Sequence, residues 1–260
     1  MQVEQKIHKK KILDAIDESE KVIEIKHLKK SFEGKPILKD INLELYRGES
    51  AVVLGKSGIG KSVLIKCIVG LITPDDGEIL VFGKDVLSMK DKVLNILRTK
   101  VGFLFQGGAL YDSMTVQENL AFPLLQNPFL EGEPNVEELI DEVLESVGLL
   151  EAKDKMPSEL SGGMKKRIGL ARTLILKPEI ILYDEPTAGL DPVIAKGISK
   201  LLVKVQEKYR TSALIITHDI KCAKITANRI YFLKDGIMYS KGSYEDFKAS
   251  KDSSIKEFFT

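Results

Sequence analysis

The eight residues Gly55-Lys56-Ser57-Gly58-Ile59-Gly60-Lys61-Ser62 constrain this 260-residue chain more than any other stretch. They fit G-x-x-x-x-G-K-[ST], follow the apolar run Ala51-Val52-Val53-Leu54 and open the helical pattern KSVLIKCIVGL. Glycines here let the backbone curl until several N–H groups point inward at phosphate oxygens. The helix that begins there adds the positive end of its dipole. Lys61 is placed to reach the β- and γ-phosphates, and Ser62 to put its hydroxyl on Mg²⁺. The strand before and the helix after set this loop apart from a glycine turn that only caps a helix.

A second constraint is Ile180-Ile181-Leu182-Tyr183-Asp184-Glu185. Four apolar residues predict a buried strand, and two carboxylates emerge at its C-terminal end, where α/β sheets bind ligands. Asp184 is the candidate to hold Mg²⁺ through water, and Glu185 the candidate base or polariser for an attacking water. Paired acids at a strand end say little alone; beside a phosphate loop they gain a role. His218 follows the strand-like ALIIT, and Gln106 ends VGFLF. Each reads either as a hydrogen-bonded core residue or as a γ-phosphate contact, and the phosphate site expected at neighbouring strand ends favours the contact.

The rest of the chain supplies a matching scaffold. Residues 1–20, where HKKK runs straight into DAIDESE, read as a solvated extension. Short strands VIEI, INLEL and AVVLG follow, separated by turn signals. The second half alternates helix and strand: SGGMKKRIGLARTLIL, EIILY, PVIAKGISKLLVKVQEKY, SALIIT, IKCAKIT. Its strands are continuous apolar runs, as expected where helices cover both faces of a parallel sheet, so the fold class is α/β. RIYFLKDGIMYSKG closes the sheet as a hairpin turning at Asp235-Gly236. A net charge of +1 weighs against a dedicated nucleic-acid binder. Cys67 and Cys222 sit apart in apolar helical stretches, which points to core packing and a reducing compartment. No apolar run approaches the roughly 20 residues of a spanning helix, so any membrane role is expected through another chain.

Leu160-Ser161-Gly162-Gly163-Met164 resembles the LSGGQ signature of ABC ATPases. The other markers stand in that family's order across residues 21–245. Phe32 matches the adenine-stacking aromatic, though it could also be plain core, and Gln106 matches the Q-loop. Asp184 with Glu185 match the Walker B pair, Ala188-Gly189-Leu190-Asp191 the D-loop and His218 the switch histidine. The resemblance implies a P-loop NTPase core of RecA type with a mainly parallel sheet. It also implies an antiparallel β subdomain, a helical subdomain inserted at about 107–168, and a tail at 246–260. It implies ATP hydrolysis with Mg²⁺, the nucleotide held by Phe32, Gly55, Ser57, Gly58, Gly60, Lys61, Ser62 and Val63. Ser161, Gly162, Gly163 and Asp191 would close on ATP held by a second copy in a head-to-tail homodimer. Glu185, His218 and Gln106 would serve hydrolysis, and Ser62, Gln106 and Asp184 the metal.

Met164, where glutamine is usual, narrows the branch. Together with FLFQGGALYDSMTVQENLAFPL and the tail SYEDFKASKDSSIKEFF, it resembles the ATPases of MCE-type (Mla-like) transporters, which move phospholipid or related lipids between bacterial membranes. That resemblance implies a permease docking near 106–124, with Leu110, Tyr111 and Phe122 on the docking side. It further implies an MCE-domain protein in the complex, a place on the cytoplasmic face of the inner membrane, and no nucleic-acid partner. The nearest rival is the ATPase of another ABC transporter, such as an amino-acid importer. A soluble ABC mechanoenzyme fits less well: translation-type members carry two cassettes, and DNA-repair members insert coiled coils for which the interval Lys61 to Ser161 has no room. A nucleotide-regulated binder without turnover would not need Glu185 and His218.

Overall fold

The computed structural model describes residues 17–127 and 135–259, so the first sixteen residues of the solvated extension expected at 1–20 lie outside the described residues. Ten strands form one sheet in the order β5-β4-β1-β2-β10-β9-β3-β8-β7-β6. Its centre is parallel: β3 (Ser50–Leu54) lies between β9 (Arg229–Lys234) and β8 (Ser212–Thr217), and β7 (Ile180–Asp184) and β6 (Val101–Leu104) extend it outward. The far side is antiparallel, built from β1 (Asp17–Phe32), β2 (Lys35–Arg47), β4 (Asp76–Val81) and β5 (Lys84–Asp85). The two halves meet where β10 (Ile237–Gly242) touches β2 at Ile237 and Asp40.

Successive strand side chains point to opposite faces, and this alternation splits the interior into two cores. Val52, Leu54, Ile181, Tyr183, Ala213 and Ile215 face one. Ala51, Val53, Ile180, Leu182, Leu214 and Ile216 face the other, which is covered by α1 (Lys61–Ile68) and α2 (Asp91–Lys100). The first core is covered by α3 (Val116–Leu125), α4 (Val136–Val147), α5 (Gly162–Leu174), α6 (Pro192–Tyr209) and α7 (Ile220–Thr226). Each strand face needs a cover because an exposed apolar row would forfeit about 25 cal/mol per Å².

Two details differ from the sequence expectation. Strand β1 begins at Asp17, inside the stretch read as an extension ending at residue 20. Ladder pairing of Asp17 with Arg47, and the forked Arg47–Glu20 ion pair at 2.5 and 2.6 Å, carry the strand into a polar segment that no apolar pattern marks. The residues set apart as a tail belong to the body of the fold: α8 (Tyr244–Ala249) and α9 (Ser253–Phe259) bury Phe247 and Ile255 and place Phe258 edge-on to Phe232 at 5.3 Å. The greasy segment after β6 contains a helix, α3, in spite of Pro123. A capping box between Thr115 and Glu118 starts it, and Pro123, third from its end, removes one intrahelical donor where little helix remains to be disturbed. The hairpin turn is as read: Asp235 and Gly236 both adopt positive φ, at 51° and 80°, as a primed two-residue turn requires.

Candidate active site

The phosphate loop joins the end of β3 to α1. Gly58 and Gly60 have φ of 77° and 110°, a region side chains disfavour. Gly55 is glycine for space, since a Cβ there would sit 2.8 Å from the Leu233 carbonyl. Gly60 also lies against Ile37 and Leu38, so the start of β2 braces the loop. Phe32 ends the other arm of that hairpin, with its ring 44% exposed and the Lys30 ammonium 5.3 Å from its centroid. It is therefore a surface aromatic, not core.

Three strand ends, those of β3, β7 and β8, bring the chemistry together. Lys61, 4% exposed, donates to the Gly55 carbonyl at 2.8 Å and the Lys56 carbonyl at 2.9 Å. Its ammonium also lies 3.2 Å from Glu185 Oε1. The other carboxylate oxygen, Oε2, is 2.9 Å from His218 Nδ1 and accepts from the His218 amide at 3.3 Å. Ser62 Oγ donates to Asp184 Oδ1 at 3.0 Å. Lys61, Ser62, Asp184, Glu185 and His218 thus form one continuous polar cluster. Lys61 and Glu185 compensate each other's charge in a place where either alone would be costly.

Glu185 adopts φ 48°, the left-handed region that costs a non-glycine residue about 1–3 kcal/mol. Its amide donates to the Ile216 carbonyl at 2.9 Å, which pins the strained turn to the end of β8. Burial pushes the Asp184 carboxyl above the usual carboxylate range, against the Ser62 hydrogen bond, and the Glu185 charge adds to the rise. A cation beside Asp184 would relieve that cost. The donors fit Mg²⁺, which favours hard oxygen ligands. Among the described residues no cluster of three His, Cys, Asp or Glu could hold a metal alone. Ser62 and Asp184 would therefore hold Mg²⁺ jointly with substrate phosphates and water, as such ions are commonly bound.

Other expected residues stand elsewhere. Gln106 reaches the cluster through its backbone, because its carbonyl accepts from Lys166, which also donates to the Glu185 carbonyl at 3.3 Å. Ser161 caps α5, its Oγ accepting from the Met164 amide at 3.3 Å. Gly162 and Gly163 lie against the Leu190 and Ile194 side chains. Asp191 uses its carboxylate to cap α6, accepting from Val193 and Ile194 at 2.9 and 3.0 Å. Within one chain these contacts run to each other's neighbourhood, whereas those of Lys61 run to the phosphate loop and Glu185. Val63 packs against the second core. Sequence reasoning missed Lys166. It also missed Asp219, which accepts from Thr187 Oγ1 at 3.0 Å and so ties the turn after Glu185 to the residue after His218. Both are ordinary surface-type residues in the sequence, and only the fold buries or pairs them.

A family model described as ABC transporter matches residues 38–188. The probable ribonucleotide transport ATP-binding protein mkl of Mycobacterium leprae is 40% identical over 91% of this chain and 68% of its own length. The intermembrane phospholipid transport system ATP-binding protein MlaF of Haemophilus influenzae is 34% identical over 92% of this chain and 90% of its own. The methionine import ATP-binding protein MetN of Legionella pneumophila is 41% identical over 83% of this chain and 62% of its own. Among solved structures, cbiO1 of Clostridium perfringens, part of an ABC transporter complex, superposes with a TM-score of 0.81 at 30% identity, covering 91% of this chain and 94% of that one. The cassette MJ0796, solved as a dimer with ADP and Pi, superposes at 0.77 and 30% identity over 85% and 98%. With its phosphate loop, carboxylate strand and histidine joined in one cluster, the chain belongs to the ABC transporter family and is one of its ATP-hydrolysing subunits.

Proposed function

We propose that this chain powers lipid transport, of phospholipid in the first place, between bacterial membranes, as the ATPase of a membrane ABC transporter. The observation that supports the lipid reading is the match to MlaF, which takes in 92% of this chain and 90% of that one. Met164 and the segment 103–124 support it from the sequence. The match to MetN favours an amino-acid importer as the second reading, but it takes in only 62% of that protein.

In the proposed cycle two copies face head to tail. ATP lies on the phosphate loop of one copy, its adenine on Phe32, its β- and γ-phosphates on Lys61 and the loop amides. Ser161 and the glycines of the other copy close on the γ-phosphate, where the exposed start of α5 offers an anion-binding helix end. Ser62 and Asp184, with Gln106 expected nearby, would hold Mg²⁺, which would supply charge compensation to the phosphates. Glu185 orients and deprotonates the attacking water, and His218, already hydrogen-bonded to it, holds the carboxylate and faces the phosphate. Once Lys61 engages phosphate, Glu185 is released from its ion pair and becomes available to water.

Docking to the permease is proposed along 106–124. Tyr111 is exposed, with Phe122 edge-on at 5.0 Å, while Leu110 packs inward against the first core. Leu125, at 72% exposure, joins this surface and was not anticipated. No helix among the described residues is long and apolar enough to cross a membrane. The subunit is therefore proposed to sit peripherally on the cytoplasmic face of the inner membrane, held by its permease, with an MCE-domain protein completing the complex and no nucleic-acid partner. Tagging the chain, solubilising membranes gently and identifying co-purifying proteins and lipid by mass spectrometry tests this. A multi-span permease with an MCE-domain protein is the expected result; a permease with a solute-binding protein would overturn the lipid branch.

A further inference from the structure

Helix α5 holds a lysine that neither the phosphate loop nor the carboxylate strand demands. Lys166 is 7% exposed, and its ammonium donates to the backbone carbonyls of Gln106 and Glu185. Burying an ammonium is expensive unless fixed partners replace its water. Here the partners are two carbonyls belonging to the two residues that flank the expected γ-phosphate on separate strand ends. The negative charges of Asp184 and Glu185 lie close enough to offset part of the burial penalty on the lysine.

The contact belongs to a larger grip. One turn on, Gly169 leaves no room for a side chain, since a Cβ would sit 2.8 Å from the Gly108 carbonyl. A further turn on, Arg172 donates to the Ala109 carbonyl and lies 4.7 Å from the Tyr111 ring centroid. Residues spaced by three thus hold the backbone from 106 to 109, and the ring of Tyr111, against a ridge of α5. Only Lys166 in this row also reaches the carboxylate strand. Ser161, at the start of the same helix, is the residue proposed to meet the second copy's ATP.

We infer that Lys166 is a positioning residue for hydrolysis, fixing the backbones of Gln106 and Glu185 to the signature helix so that the helix sets where both side chains stand. The inference rests on the proposed role of Glu185. Movement of α5 toward the second copy's nucleotide is then transmitted to the first copy's own water-activating carboxylate through two hydrogen bonds. A misplacement of about 1 Å in such a group can cost about 10²-fold in rate without loss of substrate binding.

The test compares Lys166→Met, Lys166→Arg, Glu185→Gln and the Lys166→Met/Glu185→Gln double variant of the full chain, in steady-state ATP hydrolysis, equilibrium ATP binding and thermal melting. Lys166→Met keeps the aliphatic stem and removes the donors. It is expected to lower kcat about 10–100-fold while KM and the ATP dissociation constant stay within about threefold of wild type. Lys166→Arg should restore most of the rate. The double variant should be no slower than Glu185→Gln alone, because both act on one group. Wild-type kcat in Lys166→Met, or losses that multiply in the double variant, would overturn the inference. So would a fall in ATP affinity matching the fall in rate. Glu185→Gln, measured alongside, separates the two failures: if it retains wild-type turnover, the role of Glu185 itself is wrong. Should Lys166→Met lack a cooperative melt, Lys166→Gln, which keeps one donor without a charge, is judged by the same split between kcat and KM.

Discussion

Replacing Glu185 by Gln tests the chemistry of the site with the smallest change in shape. The side chain keeps its volume and one carbonyl oxygen, which can still accept from the His218 amide now 3.3 Å from Oε2. With that oxygen kept opposite the His218 amide and Nδ1, it loses the negative charge and the acceptor 3.2 Å from Lys61, where an amino group replaces Oε1. Removing a positioned acid or base costs about 10²–10⁴ in rate, which is about 2.7–5.4 kcal/mol of barrier at 1.36 kcal/mol per decade. Nucleotide binding should move the other way. In the structure Lys61 divides its donors between two loop carbonyls and Glu185, so the phosphates must compete with that carboxylate. Without it, ATP should bind as tightly as to wild type or more tightly. The nucleotide-free variant should lose about 1–3 kcal/mol of stability, because a buried charge-assisted contact goes while the two carbonyl bonds stay. The assay pairs phosphate release with gel filtration in ATP and Mg²⁺, where an ATP-bound dimer should accumulate. Turnover within about threefold of wild type would refute the assignment.

Burial raises the Asp184 carboxyl, so the folded state binds its proton more readily than the unfolded chain, and this group's contribution to stability falls as pH rises from the ordinary carboxylate range to the raised folded value. Asp184→Asn should therefore melt higher than wild type at pH 8 without Mg²⁺, lose that advantage near pH 4, and show no Mg²⁺-dependent hydrolysis; an unchanged Tm difference across pH would contradict this. Both thiols are pushed up to about 11 by burial, which lowers their thiolate fraction roughly a hundredfold against an ordinary thiol. Neither Cys67 nor Cys222 should react with a disulfide reagent at pH 8 until denaturant is added, and rapid labelling of the native chain would show the packing to be wrong. Asn119, fully buried, accepts from the Tyr111 amide at 2.7 Å and donates to the carbonyls of Tyr111, Met114 and Thr115 at 3.0 Å. Asn119→Ala should cost about 1–3 kcal/mol in denaturant unfolding and speed amide exchange across 111–115, whereas wild-type exchange there would deny it that role.

The sheet centre was legible because its physics is local. A parallel strand covered on both faces must be apolar throughout, so AVVL, IILY and ALIIT read directly as β3, β7 and β8. Phosphate chemistry was equally legible, since glycine spacing and a lysine at a helix start are short-range requirements. Strand β1 was legible only in part: bulges and charged pairs extend it from VIEI to sixteen residues, and pairing on both sides supplies what propensity does not. The final helices were hidden for the related reason that their anchor, Phe232, lies on β9 and only tertiary packing brings Phe247 and Phe258 to it. Lys166 and Asp219 escaped notice because a lysine in KKR and an aspartate after histidine look solvated in sequence. Their partners, the carbonyls of Gln106 and Glu185 and the hydroxyl of Thr187, lie 60, 19 and 32 residues away. Of the three residues expected to meet a permease, the alternation of the segment could not tell that Leu110 turns inward while Tyr111 stays out.

The central claim is that one copy's phosphate loop and the other copy's signature make each ATP site, and mixing two defective chains tests it most directly. Lys61→Ala lacks the loop lysine and Ser161→Arg blocks the signature, so neither alone can build an intact site. In a mixed dimer, one site pairs both defects and the other pairs the intact loop of the Ser161→Arg chain with the intact signature of the Lys61→Ala chain. ATP hydrolysis should therefore reappear on equimolar mixing, while Ser161→Arg alone still binds ATP as a monomer. A mixture that stays as inactive as its components, beside wild type that turns over under the same conditions, would mean that each chain completes its own site and would contradict the account.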